Sequence, residues 1–231
     1  GLTEAVTWSF IERKHAALFG GENAALVLAN PISSEMDTMR PSLLAGLLDA
    51  TRRNADRGMT PVLLFEAGQQ FRGDGESEED IVASLVRKGP AQRHWSGAAN
   101  IASVFDAKAD AIALLTALGA PRELQVTDDA PGWYHPGRSG TLRLGPKLAL
   151  AHFGELHPRI LKAFDIEGPV AAAEIFIANV PEPKAKPTKA RTRLDASDLM
   201  PVKRDFAFVV GENVWAGDLV RAAKGADKAL I

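Results

Sequence analysis

The chain has 231 residues, 46% apolar and 24% charged, with a formal net charge of −2. That balance suits a globular protein with a buried core, one large domain or one domain and part of another, and excludes a chain that holds nucleic acid by bulk positive charge. The absence of cysteine excludes disulfide frameworks, Cys-ligated zinc and thiol catalysis, and no apolar run approaches the roughly 18 residues of a membrane span, so a cytoplasmic protein without membrane contact is expected.

Taken in order, residues 3–11 alternate, with Val6, Trp8 and Phe10 on one side and Thr7 and Ser9 on the other, which predicts a half-buried strand. A short helix over residues 12–19 stops at Gly20-Gly21, and Leu26-Val27-Leu28 reads as a brief strand before Asn30-Pro31. Pro41 is placed in the first turn of a helix reaching to Arg57, with Leu43, Leu44, Leu47, Leu48 and Thr51 as one stripe and Arg52, Arg53 and Arg57 outside it. Residues 62–65 form a strand that bends at Gly68 before Phe71. An acidic turn follows, and residues 81–86 return as its hairpin partner.

Residues 104–118 carry Ala107, Ala111, Leu114, Leu115 and Leu118 at helical spacing, closed by Gly119 and Pro121. Strands over 141–144 and 148–153 are joined by Gly145-Pro146-Lys147, a helix begins at Pro158, and residues 170–177 form another strand. Hairpin-linked strands with a few inserted helices predict an α+β fold, an antiparallel sheet flanked by helices. Trp8, Phe10, Phe65 and Phe71 are expected in its core.

The organisation expected is a domain over 1–180, a linker over 181–193 and the start of a second unit over 194–231. The linker holds three prolines and the basic residues Lys184, Lys186, Lys189, Arg191 and Arg193 against the single acid Glu182. Residues 204–210 read as a strand and 214–230 as a helix with Leu219, Val220, Ala223 and Leu230 as apolar contacts. One strand and one helix cannot bury a core of their own, so the sequence reads as a piece of a longer protein.

The most tempting chemical cluster is His152, Glu155 and His157. A zinc helix needs histidines four apart on one face, and these are five apart and interrupted by Gly154. His157 before Pro158 reads more simply as a helix-start residue, so no metal ligand is assigned. His135-Pro136-Gly137-Arg138-Ser139-Gly140 is either a small anion-binding loop with Arg138 as donor or an ordinary tight turn. No phosphate loop, dinucleotide fingerprint or nucleophile elbow is present. On the residues alone, no catalytic, cofactor-binding or metal site is assigned.

Residues 30–48, containing Asn30-Pro31-Ile32-Ser33-Ser34 and Met39-Arg40-Pro41-Ser42-Leu43-Leu44, closely resemble a hallmark stretch of the β subunit of bacterial phenylalanyl-tRNA synthetase. Trp8-Ser9-Phe10, Leu64-Phe65-Glu66-Ala67-Gly68, His135-Pro136-Gly137-Arg138-Ser139, Phe153-Gly154-Glu155-Leu156-His157-Pro158 and Pro201-Val202-Lys203-Arg204-Asp205-Phe206 follow in the family's order. The resemblance implies a degenerate copy of the class II synthetase fold, which supports the catalytic α subunit within an (αβ)₂ enzyme that charges tRNA(Phe) using ATP and Mg²⁺. It further implies that residues 194–231 begin a ferredoxin-like anticodon-binding module.

Degeneracy has support in the residues. A class II site needs arginines against the ATP phosphates. Residues 168–180 contain none, and Phe65-Glu66-Ala67-Gly68 lacks an Arg-x-Glu pattern. The piece is therefore expected to be inactive alone, to bind no cofactor, and to self-associate through apolar surface left by its partner. The alternative is a stand-alone RNA-binding fragment resting on the basic linker.

Overall fold

The computed structural model describes residues 1–90, 95, 97, 100–121, 123–182 and 199–227. The chain divides into two compact units, Gly1–Pro183 and Lys184–Ile231. The first unit runs β1 (Thr3–Glu4), β2 (Phe10–Ile11), α1 (Arg13–Ala17), β3 (Thr38–Met39), α2 (Leu44–Asp56), β4 (Val62–Phe71) and β5 (Glu79–Lys88). It continues through α3 (Val104–Ala117), β6 (Gln125–Thr127), β7 (Tyr134–Leu144), β8 (Leu148–Leu156), α4 (Pro158–Ala163) and β9 (Val170–Phe176). Seven strands make one sheet in the order β1-β4-β5-β9-β8-β7-β6, and β2 and β3 make a small second one.

Apart from the short parallel pairing of β1 with β4, every pairing in the large sheet is antiparallel. β4 and β5 pair without interruption from Val62↔Lys88 to Phe71↔Glu79. Gly68 therefore sits inside a continuous strand, where the sequence suggested a bend. Its open side admits the Arg40 guanidinium, 2.9 Å from where a Cβ would stand.

Each face of the sheet takes one long helix. α2 lays Leu44, Leu47 and Leu48 against Val86, Ala172 and Leu156, joined by Phe19, Ile160 and Phe164. α3 packs Ala107, Ala111 and Leu115 on the opposite face, against Leu85, Ala173 and Phe153. The small alanines on both sides of that contact bring the helix close to the strands. α3 is started by a reciprocal cap, in which the Asp106 carboxylate accepts from the Ser103 N–H at 2.8 Å and from its hydroxyl at 2.9 Å. It ends where Gly119 takes φ 87°, a left-handed turn that glycine adopts without strain.

Several expectations are corrected here. Residues 3–11 are not one strand: β1 ends at Glu4, and Val6 and Trp8 are 89% and 68% exposed. The alternating pattern is real, but Val6 and Trp8 on its apolar side are left exposed among the described residues. Phe10 and Phe65 are partly buried and Phe71 is buried, while Trp8 is exposed; Phe10 joins neither core cluster. Leu26 closes a single 3₁₀ turn, and Val27 makes only an isolated bridge to Thr38. Pro41 lies before α2 and not in its first turn: the helix begins at Leu44, where the Ser42 hydroxyl accepts the Leu44 N–H at 3.1 Å. Residues 135–140 are neither anion loop nor turn but part of β7, irregular in register between Tyr134 and Ser139.

In the second unit, residues 199–227 contain one helix, α5 (Ala216–Ala226), and no strand. Residues 204–210 are exposed and carry no ladder, since a strand exists only by pairing with another. Leu219 is partly buried, Val220 and Ala223 are exposed, and Leu230 lies outside the described residues.

Candidate functional site

Residues directly opposite in an antiparallel pair share a face of the sheet. The registers Glu66↔Ser84, Ser84↔Glu174, Glu174↔His152 and His152↔Thr141 therefore put five polar residues in one row across β4, β5, β9, β8 and β7. The row lies on the same face as α2. Glu66, Ser84, Glu174 and Thr141 are all buried. A line of polar groups inside a sheet core is where substrate chemistry would sit, so the decisive question is what fills their bonds.

The chain itself fills most of them. Arg40, just before α2, is 4% exposed and places Nη1 2.8 Å from Glu66 Oε1. Its Nε donates to the Gln69 carbonyl at 2.9 Å. The other Glu66 oxygen accepts the Thr7 hydroxyl at 2.7 Å. Two residues on, the Ser42 hydroxyl donates to Glu174 Oε1 at 2.5 Å. Glu174 Oε2 accepts from the Trp133 indole N–H at 3.0 Å and the Tyr134 hydroxyl at 3.1 Å. Residues 40–42 thus bind the face of the sheet at two carboxylates before α2 covers it.

Burial pushes the Glu174 carboxyl above its ordinary range, with its three donors pulling the other way. Burial likewise raises the Tyr134 phenol, helped by the neighbouring Glu174 charge. Ser84, between the two glutamates, has its hydroxyl buried with no hydrogen-bond partner, and Gln70 Oε1 is in the same position.

The His152, Glu155 and His157 side chains do not converge on an ion. His152 Nδ1 is 2.9 Å from the Thr141 hydroxyl, and its ring stands edge-on to Phe176 with centroids 5.1 Å apart. Burial lowers its pKa to about 4. Glu155 binds Arg138 at 2.6 Å, which also commits the arginine considered for an anion. His157 caps α4, its Nδ1 accepting the Arg159 N–H at 3.1 Å. That bond uses the Nδ1 lone pair, which places a neutral ring's proton on Nε2.

The sequence reading passed over Arg72. Because β4 runs on to Phe71, Arg72 emerges at its end and lines a cleft of about 310 Å³ with Gln70, Asp80, His152 and Phe176. Its guanidinium is paired bidentately with Asp80, at 2.9 Å from Nε and 3.1 Å from Nη2. The row itself was also missed. Its sequence signal was a carboxylate at a core-facing position of an apolar strand, twice: Glu66 after Leu64-Phe65 and Glu174 after Ala172-Ala173.

A second concavity, of about 500 Å³, lies between the N-terminal segment and α2 and is lined by Val6, Trp8, Phe10, Met36, Asp49 and Arg52. Arg52 bridges Asp49 and Asp56, and Arg53 also reaches Asp49. Lys184, Lys186, Lys189, Arg191 and Arg193 lie outside the described residues. Among the described residues, no helix is long and apolar enough to cross a membrane.

The family described as the phenylalanyl tRNA synthetase beta chain CLM domain matches residues 1–177. The phenylalanine–tRNA ligase beta subunit of Mesorhizobium japonicum is 55% identical over all of this chain and 30% of its own length. That of Bradyrhizobium diazoefficiens is 52% identical over all of this chain and 29% of its own length. This chain thus spans under a third of the relatives it matches. In fold, the chain is similar to the pyrrolysyl-tRNA synthetase of Desulfitobacterium hafniense, with a TM-score of 0.56 at 19% identity over 78% of this chain and 62% of that one. The α+β sheet is thereby of the class II synthetase kind, and the stand-alone RNA-binding alternative is not favoured. The chain belongs to the phenylalanyl-tRNA synthetase β-chain family and corresponds to part of that subunit.

Proposed function

We propose that residues 1–180 are a catalytically silent synthetase-like domain that supports the α subunit while the whole enzyme charges tRNA(Phe) in the cytoplasm. ATP and Mg²⁺ serve the whole enzyme, and this chain holds neither. The observation that carries the reading is how the charged groups of the sheet face are paired within the chain: Arg40 is spent on Glu66, Ser42, Trp133 and Tyr134 on Glu174, and Arg72 on Asp80. A phosphate clamp needs unpaired guanidinium groups aimed at the ligand, and these two are held by the chain's own carboxylates.

The α subunit is assigned to the concavity beside α2, because Val6 and Trp8 stand exposed at its rim and Arg52 and Asp49 supply a polar border. Exposed apolar side chains, an aromatic among them, beside charged ones are the composition of a protein interface. Without α, the same surface drives self-association of the chain. Residues 181–193 link this domain to the first part of a ferredoxin-like anticodon module over 194–231, whose exposed Phe206, Phe208 and Val209 await strands from the rest of the subunit.

Isothermal titration with ATP and with phenylalanine, first on this chain and then with α added, tests the reading. Heat should appear only with α present. Saturable ATP binding by this chain alone would show that the sheet face is open to nucleotide and would overturn it. Trp8→Ser should weaken association with α about tenfold or more, as expected for a truncated aromatic anchor.

A further inference from the structure

α3 has a face that nothing among the described residues of the first unit covers. Its inward residues Ala107, Ala111 and Leu115 are 0–1% exposed against the sheet. Its outward residues are Phe105, Ala109, Ile112, Ala113 and Thr116, all exposed, with Phe105 at 77% and Ile112 at 40%. Those positions are spaced by four, three, one and three residues and so form a single stripe. A surface helix ordinarily turns charge outward there.

α3 contains three charged residues, Asp106, Lys108 and Asp110, and each is tied back toward the domain. Asp106 caps Ser103 at the helix start. Asp110 takes Arg87 of β5 in a two-pronged pair, at 2.5 and 2.8 Å. Lys108 holds its ammonium 5.8 Å from the centre of the Phe153 ring. Even the Thr116 hydroxyl is turned onto its own helix, donating to the Ile112 carbonyl at 2.7 Å. The outer stripe is left without an ionised group, with Ala109 between Phe105 and Ile112 and Ala113 beside Ile112. Small residues between large ones admit a second helix at close range.

The size of the stripe decides the occupant. A helix of 14 residues is only about 20 Å long. Five side chains on it fall well short of the roughly 20–30 residues a side that a free-standing association needs. Such a contact holds when its partner is already tethered, because the translational and rotational cost of association is then largely avoided. The relatives carry most of their length outside the segment matching this chain, which is 30% of the Mesorhizobium subunit.

We propose that in the full-length β subunit the Phe105–Ala109–Ile112–Ala113 stripe is covered by an apolar helix from another domain of the same polypeptide. This contact lies on the face of the sheet opposite the concavity assigned to α, and it holds whether or not the sheet face binds nucleotide.

The test uses the assembled enzyme with Ala109→Cys in β, labelled with a photoreactive maleimide. Phe105→Cys serves as a second reporter at the end of the stripe. Thiol labelling, read on the peptide containing the new cysteine, should be at least about tenfold slower in the enzyme than in the 231-residue chain. After brief labelling and irradiation, the crosslink should join two peptides of one β chain, leaving its mass on a denaturing gel unchanged. Equal labelling rates would overturn the proposal, as would a crosslink to α or a band at the mass of two β chains.

Discussion

The Arg40 guanidinium and the Glu66 carboxylate meet at 2.8 Å with their side chains only 4% and 5% exposed, tying the strand of residue 66 to the segment that leads into α2. Removing one partner strands the other charge out of water, which costs about 3–5 kcal/mol. Arg40→Met should lower unfolding free energy by that amount in urea titrations. Arg40→Met combined with Glu66→Leu should recover most of the loss, because the desolvation penalty leaves with the second charge. A double variant no better than the single would mean that the bonds from Arg40 to the Gln69 and Thr7 carbonyls carry the effect instead.

Ser84 sits between the two buried glutamates with an unpartnered hydroxyl. An orphaned buried polar group costs about 1–3 kcal/mol relative to one that is satisfied or absent. Ser84→Ala removes the group and one atom of volume, so it should leave the melting temperature unchanged or raise it by a few degrees. A clear drop in melting temperature would show that the hydroxyl has a partner in solution.

Glu174 yields a prediction with a definite sign. Its folded-state pKa is raised by burial, so its contribution to stability is full below the unfolded carboxylate value and declines as pH rises through the folded one. The stability of the chain relative to Glu174→Gln should therefore fall between acid and neutral pH. Glu174→Ala is a different case, since it leaves the Ser42, Trp133 and Tyr134 donors without an acceptor. It should cost several kcal/mol at every pH, on the order of 3–5. Parallel melting series of the three proteins from pH 4 to 8 separate these effects, and a pH-independent offset for Glu174→Gln would contradict the first.

His152 acts in the opposite sense. Its pKa is lowered from 6.5 to about 4, chiefly by burial, so the folded state holds it neutral. The resulting stability is present above pH 6.5 and is lost as pH falls toward the folded value. One pKa unit corresponds to about 1.4 kcal/mol, so the full loss is on the order of 3 kcal/mol. His152→Gln should flatten the acid limb of the stability curve over that window. An unchanged acid limb would place the titrating group elsewhere.

The sequence by itself determined the elements whose signals are local. Leu43, Leu44, Leu47, Leu48 and Thr51 repeat at helical spacing and are all fully buried. The hairpin of β4 and β5, the β7–β8 turn at Gly145 and the α3 boundaries were legible for the same reason: periodicity and turn chemistry need only neighbouring residues. The motif order also identified the family, because it is a property of the chain as written.

What only the tertiary structure decided was where each pattern is spent. Residues 3–11 alternate as a strand should, yet Val6 and Trp8 face outward, since burial depends on a facing surface that the periodicity of a segment does not supply. Ser42 and Glu174 are 132 positions apart in sequence and 2.5 Å apart in space. Hydrogen-bond satisfaction is set by distance and direction between atoms, and the packing of the segment before α2 over β9, not sequence proximity, brought those atoms together.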